Sequence, residues 1–322
     1  MLNEITCDVR KVPSVCCDQD KISTIDHCLS CGKTIHMITP LCTGCQDVRP
    51  GERPWTVILK YQNQDDILGL RSVGHNDIYD VDQNDVNDVT RCSGTLVSSK
   101  HVITAAHCLK DGTIESVVLG EINITAAYED CFKKGRCADE VMNVKVKSAE
   151  IHPDYINEDV PIHDVAILTL DSHVKFSRFI QPLCLPKKPV TGKLSKLSIS
   201  GWGNTVDART LNKPKSSELL QYLDVHYVNN DKCSKMWNRE FTESHMCIES
   251  KESGKSPCQG DSGGAVSRII YQDSVIIQRE IVGVISFGAK QCGTPKPTVV
   301  SRFDRLTLAW IKSIVPDVTL MR

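Results

Sequence analysis

Gly260-Asp261-Ser262-Gly263-Gly264 lies near the C-terminal end of the chain, and Thr104-Ala105-Ala106-His107-Cys108 lies far upstream of it. Asp164-Val165-Ala166-Ile167-Leu168 stands between the two. A hydroxyl is a poor nucleophile near neutral pH. It attacks a carbonyl well when a neighbouring imidazole takes its proton and a carboxylate holds that imidazole in one tautomer. Histidine, aspartate and serine, in that order and each with its own flanking residues, supply the three groups.

The order and the flanking residues resemble the chymotrypsin-type serine proteases over about residues 50–315. The resemblance implies an all-β fold of two six-stranded antiparallel β-barrels with a C-terminal helix and the active site in the cleft between the barrels. It implies His107 as general base and later acid, Asp164 as the group that orients it, and Ser262 as nucleophile. The backbone N–H groups of Gly260 and Ser262 would then form the oxyanion hole, and a glycine at 260 suits the tight turn needed there.

The residue texture agrees with such a fold. From Pro54-Trp55-Thr56-Val57-Ile58-Leu59 onward, short β-rich runs alternate with turns, as in 95–97, 115–120, 165–170 and 280–285. That spacing predicts a sandwich or barrel. Leu306, Trp310, Ile311 and Ile314 recur at helical spacing and predict one terminal amphipathic helix. Between Trp55 and Cys92, Asp65, Asp66, Asp77, Asp80, Asp82, Asp85 and Asp88 with few large apolar residues predict a solvated surface insertion.

Composition narrows the setting. The chain has 322 residues, enough for one large β domain and an appendage, and its 38 basic and 40 acidic side chains leave a net charge of −2. That balance gives no argument for nucleic acid or an anionic membrane as partner, and neither is expected. No run of about eighteen apolar residues occurs, so no membrane-spanning helix is expected. Sixteen cysteines point to an oxidising, extracellular setting and a disulfide framework. The start, Met1-Leu2-Asn3-Glu4-Ile5-Thr6-Cys7-Asp8, is acidic and has no apolar export segment, which implies an N-terminus that is incomplete or processed.

Residues 1–53 hold seven of the cysteines and few strand-like runs. Cys7, Cys16 and Cys17 resemble the end of a clip domain, the small disulfide module of arthropod zymogens, with the partner cysteines lying before Met1. The expected organisation is a clip-like remnant over 1–20, a cysteine-rich linker over 21–49 and a protease domain over 50–322. Cys28, Cys31, Cys42 and Cys45 form paired CxxC motifs that fit either a tetrahedral zinc or disulfides. Disulfides are the leading reading in an exported protease, with one of the four tethered to Cys184. By resemblance, Cys92 pairs with Cys108, Cys131 with Cys137, Cys233 with Cys247, and Cys258 with Cys292.

Specificity and activation depart from the trypsin-like pattern. Ser256 stands six residues before the nucleophile, at the base of the primary specificity pocket, where trypsin-like relatives place an aspartate. A substrate Arg or Lys would be desolvated there without a partner. Gly288 and Thr298 form the pocket walls in the resemblance, and Ser286-Phe287-Gly288 the strand that pairs with substrate. Thr298 in place of a glycine narrows the interior, so uncharged, medium-sized apolar side chains are expected before the cut. Active relatives bury a new α-amino group against the aspartate preceding the nucleophile, here Asp261. Counting back from Gly51-Glu52-Arg53-Pro54-Trp55 sets Cys42 at the new terminus, with no Ile-Val-Gly-Gly-like start. Cleavage elsewhere, a misassembled stretch over 18–53, or a homologue that is not activated this way all fit.

The resemblance implies a secreted serine endopeptidase made as a zymogen in an extracellular cascade of the melanisation, Toll or clotting type. Its partners would be protein substrates, an upstream activating protease and serpin-type inhibitors. No cofactor is required. A calcium ion held near Glu121 and Asn123 is one further expectation, and Asn123-Ile124-Thr125 is a glycosylation candidate in an exported chain. The alternatives are a catalytically silent homologue acting as a binding cofactor, and a zinc-dependent interaction protein.

Overall fold

The computed structural model describes residues 31, 46–48, 50–62, 91–110, 112–125, 131–132, 136–137, 141–205, 215–272 and 275–315. The acidic insertion, Cys7, Cys16, Cys17, Cys28, Cys42 and Cys45 lie outside the described residues.

Seventeen strands and two α-helices are defined among the described residues. In chain order the first strands are β1 (Gln46–Asp47), β2 (Thr56–Tyr61), β3 (Ser93–Leu96), β4 (His101–Thr104), β5 (Ile114–Leu119), β6 (Cys131–Phe132) and β7 (Arg136–Cys137). They are followed by β8 (Met142–Ile151), β9 (Ala166–Leu170), β10 (Leu197–Gly201), β11 (Asn204–Thr205), β12 (Lys215–Ser216) and β13 (Gln221–Val228). Helix α1 (Asn230–Trp237), β14 (His245–Ser250), β15 (Ala265–Gln272), β16 (Val275–Phe287), β17 (Thr298–Arg302) and α2 (Arg305–Ile314) complete the chain.

The first barrel closes in the order β2-β3-β4-β9-β8-β5. The second runs β13-β10-β15-β16-β17-β14 and closes through β13–β14, with β1 added beside β13. Closure removes open sheet edges, and every pairing is antiparallel. The expectation of two six-stranded antiparallel barrels is met.

Buried β-branched and leucine side chains fill each interior: Val57, Leu59, Leu96, Val102, Val117 and Leu168 in the first barrel, and Leu197, Val225, Val266, Val284 and Val300 in the second. Trp55, Ile103, Val165 and Ile167 belong to the second cluster although they sit in the first barrel, so the two interiors are welded at the cleft.

Helix α2 forms as expected, capped by Asp304, whose side chain accepts from the Thr307 N–H. Its buried stripe differs from the sequence reading. Thr307, Leu308 and Ile311 are buried, Trp310 and Ile314 pack partly, and Leu306 is 56% exposed. Leu308 and Ile311, three apart, face the barrel together, and Leu306 lies on the opposite side.

Disulfides join Cys92 to Cys108, Cys233 to Cys247, Cys258 to Cys292 and Cys31 to Cys184. Cys31 is therefore the member of the CxxC pairs that reaches Cys184. Cys131 and Cys137 are opposed as backbone partners of a short hairpin. The Cys92–Cys108 bridge pins β3 to the 3₁₀ turn Ala106–Leu109 that carries His107. Replacing both cysteines by alanine is expected to lower stability by about 3 kcal/mol, as for closure of a loop of this length. Thermal melting under non-reducing conditions measures the loss.

Candidate active site

Four segments converge at the mouth between the barrels. The 3₁₀ turn after β4 brings His107, and the loop between β8 and β9 brings Asp164. The 258–264 loop before β15 brings Ser262, and the end of β16 brings Ser286. Asp164 is fully buried, with a side-chain exposure of 0%. Its Oδ2 lies 2.7 Å from His107 Nδ1 and 2.5 Å from Ser286 Oγ, and its Oδ1 accepts the His107 backbone N–H at 2.9 Å. The Asp164 carboxylate accepts from all three, the imidazole through its Nδ1–H. That bond sets the His107 proton on Nδ1 and leaves Nε2 as the base.

Ser93, which the sequence reading passed over, ties the nucleophile loop to the first barrel. Its N–H donates to the Ser262 carbonyl and its hydroxyl to the Gly260 carbonyl, each at 2.8 Å. Thr104 Oγ1 donates to the Ser93 carbonyl at 2.8 Å. A Cβ on Gly263 would stand 2.1 Å from Thr104 Oγ1 and 2.5 Å from the Ser93 carbonyl oxygen, and its φ is 78°. Only glycine lets the loop lie this close to β3 and β4. Gly260 has a φ of 98°. Among the described residues the N–H groups of Gly260 and Ser262 have no hydrogen-bond partner, whereas the Asp261 N–H donates to the Cys258 carbonyl.

Asp261 points away from Ser262 into a cage. Its Oδ1 accepts the Gly203 N–H and its Oδ2 the Cys258 N–H, both at 2.9 Å. A Cβ on Gly201 or on Gly203 would come within 2.2 or 2.3 Å of its carboxylate oxygens. Burial pushes the Asp261 carboxyl up to about 6, against the opposing pull of its two backbone donors. No cationic side chain among the described residues contributes.

The pocket candidates lie together beside this loop. Ser256 is spent on structure: its hydroxyl accepts the Gly293 N–H at 2.8 Å and donates to the Pro257 carbonyl at 3.1 Å. Thr298 is buried, and a Cβ on Gly288 would meet its Oγ1 at 3.6 Å and Cγ2 at 4.0 Å. The Gly288 backbone thus faces the Thr298 side chain, with room for no more than a methyl group in ordinary contact. Phe287 stacks edge-on against Trp237 of α1 at 5.4 Å, and the Trp237 indole N–H bonds the Pro297 carbonyl at 2.9 Å. Neither α1 nor Trp237 was singled out from sequence. Ser286 was placed with the pocket strand, yet its hydroxyl turns to Asp164. Alternation along β16 sends neighbouring side chains to opposite faces, so Ser286 and Phe287 serve different places.

The remaining candidates lie elsewhere. Glu121 is buried, with Oε1 on the Ile122 N–H at 2.9 Å, and Asn123 Oδ1 accepts both the N–H and the hydroxyl of Thr125. Cys92, His107 and Cys108 are the cluster with metal-ligand spacing among the described residues. Their two sulfurs are joined to each other, so no thiolate is offered there.

The family model described as Trypsin matches residues 42–311. The chain is a trypsin-family serine protease. Curated trypsin-family relatives include the phenoloxidase-activating enzyme of Bombyx mori, 33% identical over 63% of this chain and 49% of that protein. The venom serine protease Bi-VSP of Bombus ignitus is 30% identical over 66% of this chain and 56% of its own length. Granzyme M of Rattus norvegicus is 32% identical over 81% of this chain and 93% of that protein. The chain spans about half the length of the two insect relatives. Among solved structures, the Drosophila Grass clip serine protease of the Toll pathway superposes with a TM-score of 0.68 at 25% identity, covering 91% of this chain and 77% of that one.

Proposed function

We propose that the chain is a secreted serine endopeptidase in which His107, Asp164 and Ser262 hydrolyse peptide bonds. One observation carries the reading. A buried carboxylate holds a histidine in the tautomer of a general base, and the Ser262 loop, packed against Ser93, Thr104 and Ala105 just before that histidine, presents two backbone N–H groups without a partner among the described residues.

In this mechanism His107 Nε2 takes the Ser262 proton as Oγ attacks the substrate carbonyl. Asp164 stays ionised and stabilises the imidazolium. The Gly260 and Ser262 N–H groups receive the developing oxyanion, and His107 returns the proton to the leaving amine. Water then repeats the sequence on the acyl-enzyme. The protein's own side chains and backbone supply every step, and a calcium ion near Glu121 takes no part. Similarity to the phenoloxidase-activating enzyme and to Grass supports a place in an extracellular cascade, with protein substrates and an activating protease upstream. The cage around Asp261 supports a zymogen. An ionised carboxylate buried there has no cation beside it among the described residues, and an α-ammonium delivered by cleavage would supply one.

Ser256 and Thr298 support a preference for uncharged side chains before the cut. A serine-directed fluorophosphonate probe, applied before and after limited proteolysis with sequencing of each new N-terminus, tests competence and locates the cut. The expected result is labelling that requires Ser262. A peptide panel with Leu, Phe, Ala, Lys or Arg before the cut then tests specificity. Ser256→Asp, which keeps an acceptor for the Gly293 N–H, is expected to bring in Arg and Lys substrates. Preference of the unaltered protein for Arg rejects the pocket reading, and absence of labelling in every processed form rejects the enzyme in favour of a binding homologue.

A further inference from the structure

Three histidines that play no part in this mechanism meet beneath the loop that delivers Asp164. His152 opens the loop and His163, at a φ of 48°, immediately precedes Asp164. Their rings stack at 4.6 Å and 15°, with the Trp310 edge of α2 packed 4.8 Å from His152. His163 Nδ1 lies 3.1 Å from Thr307 Oγ1 and 3.8 Å from Asp304 Oδ2. His245, on β14 of the second barrel, reaches the Pro161 carbonyl of the same loop through Nε2 at 2.9 Å. The Asp164 loop of the first barrel is therefore fastened to the second barrel and to α2 by histidines.

The hydrogen bonds fix two of these rings as neutral. The Asp154 N–H donates to His152 Nδ1 at 3.1 Å, and the Thr242 N–H donates to His245 Nδ1 at 3.1 Å. A nitrogen that accepts carries no proton, so in both rings the proton sits on Nε2. A second proton on either ring would set one N–H against another. Burial also holds both rings below the usual histidine range. Around His152 the charged and titratable groups are His163, Asp154 and Asp304. Around His245 they are His163 and Arg302.

We propose that His152 and His245, with His163 stacked on His152, form an acid-sensitive latch, in which protonation of His152 and His245 frees the 152–164 loop from β14 and α2 and withdraws Asp164 from His107. The proposal rests on the reading that Asp164 orients the general base. Its sign follows from the neutral rings. Their contribution to the closed loop is complete above the ordinary histidine value of 6.5 and is lost as pH falls below it. An opened loop takes up protons at His152 and His245 that the closed loop refuses. The ratio of closed to open loop then falls by up to about tenfold per pH unit for each ring, or about a hundredfold for both. The protease would be silent in an acidic compartment and competent on release to neutral pH.

Amide hydrogen exchange on the full chain carrying Ser262→Ala, which prevents self-digestion, tests the latch between about pH 7.5 and about pH 5. Ile156 and Ile162 exchange backbone hydrogen bonds at 3.1 and 3.0 Å and report loop closure. After correction for intrinsic exchange, their protection is expected to drop at least tenfold at the acid end while β4 and β9 stay protected. The double variant His152→Asn with His245→Gln keeps the Asp154 acceptor and the Pro161 donor without titrating. It is expected to abolish the pH dependence, and in the active chain to reduce the acid limb of kcat/KM from more than one proton to one. Protection independent of pH in the chain with all three histidines overturns the proposal. That measurement needs neither the double variant nor catalysis, so an inactive protein with an acid-opened loop would reject the enzyme reading alone.

Discussion

Asp164→Asn is expected to lower kcat by roughly 10⁴-fold with little change in stability or substrate binding. The reason lies in the partners. Asp164 Oδ2 accepts hydrogen bonds from His107 Nδ1 and from Ser286 Oγ, and Oδ1 accepts one from the His107 backbone N–H. An asparagine has one acceptor and one donor group, so its NH₂ must face at least one donor. If it faces His107, the imidazole must move its proton to Nε2, where it can no longer accept from Ser262. Burst kinetics with an activated ester, alongside a melting curve, measure both effects. Activity within tenfold of the unaltered protein would show that His107 draws its orientation from elsewhere. Ser286→Ala removes a single donor to the same oxygen and should cost far less, since the His107 contact survives.

The second large effect is expected from Gly203→Ala. Its Cβ would stand 2.3 Å from one Asp261 oxygen and 2.4 Å from the carboxyl carbon. Those atoms are backed by the Gly201 Cα and held by two N–H donors, so Asp261 must leave the cage. Its backbone lies between Gly260 and Ser262, and any rotation there turns the oxyanion donors away. Loss of such a donor lowers kcat by about 10²–10³-fold. Fluorophosphonate labelling rates read the change without a choice of substrate. Unchanged labelling would separate the cage from the oxyanion hole.

The cage also has a pH sign opposite to that of the histidine latch. The Asp261 carboxyl is raised from 3.8 to about 6, so its inward position is favoured while protonated and weakens as pH rises through that window. The shift corresponds to a penalty on the order of 3 kcal/mol above it. An ammonium partner would remove the penalty, which is why activation by a cleaved amine is an economical reading of this geometry.

Much of the site was legible because its residues are written with their neighbours. Glycines 260, 263 and 264 bracket Ser262 for steric reasons that hold wherever such a turn is built. The strands were legible because β2 and β9 must bury nearly every side chain in a closed barrel. Leu306 shows where periodicity runs out. It fits the helical spacing and still faces solvent, since spacing names a stripe and only packing against the barrel selects which stripe is buried.

By itself the sequence determined the fold class and the order His107, Asp164, Ser262, because each depends on local chemistry or on short-range pattern. Tertiary structure alone decided the rest. It placed Ser93 on the Ser262 loop and Ser286 on Asp164, set Asp261 between two backbone donors, selected Cys31 for Cys184 and gathered three histidines from two barrels beneath Asp164. Ser93 and Gly260 are 167 positions apart, Cys31 and Cys184 153, Ser286 and Asp164 122, and Gly203 and Asp261 58, and residue spacing carries no information about distances that only barrel closure creates.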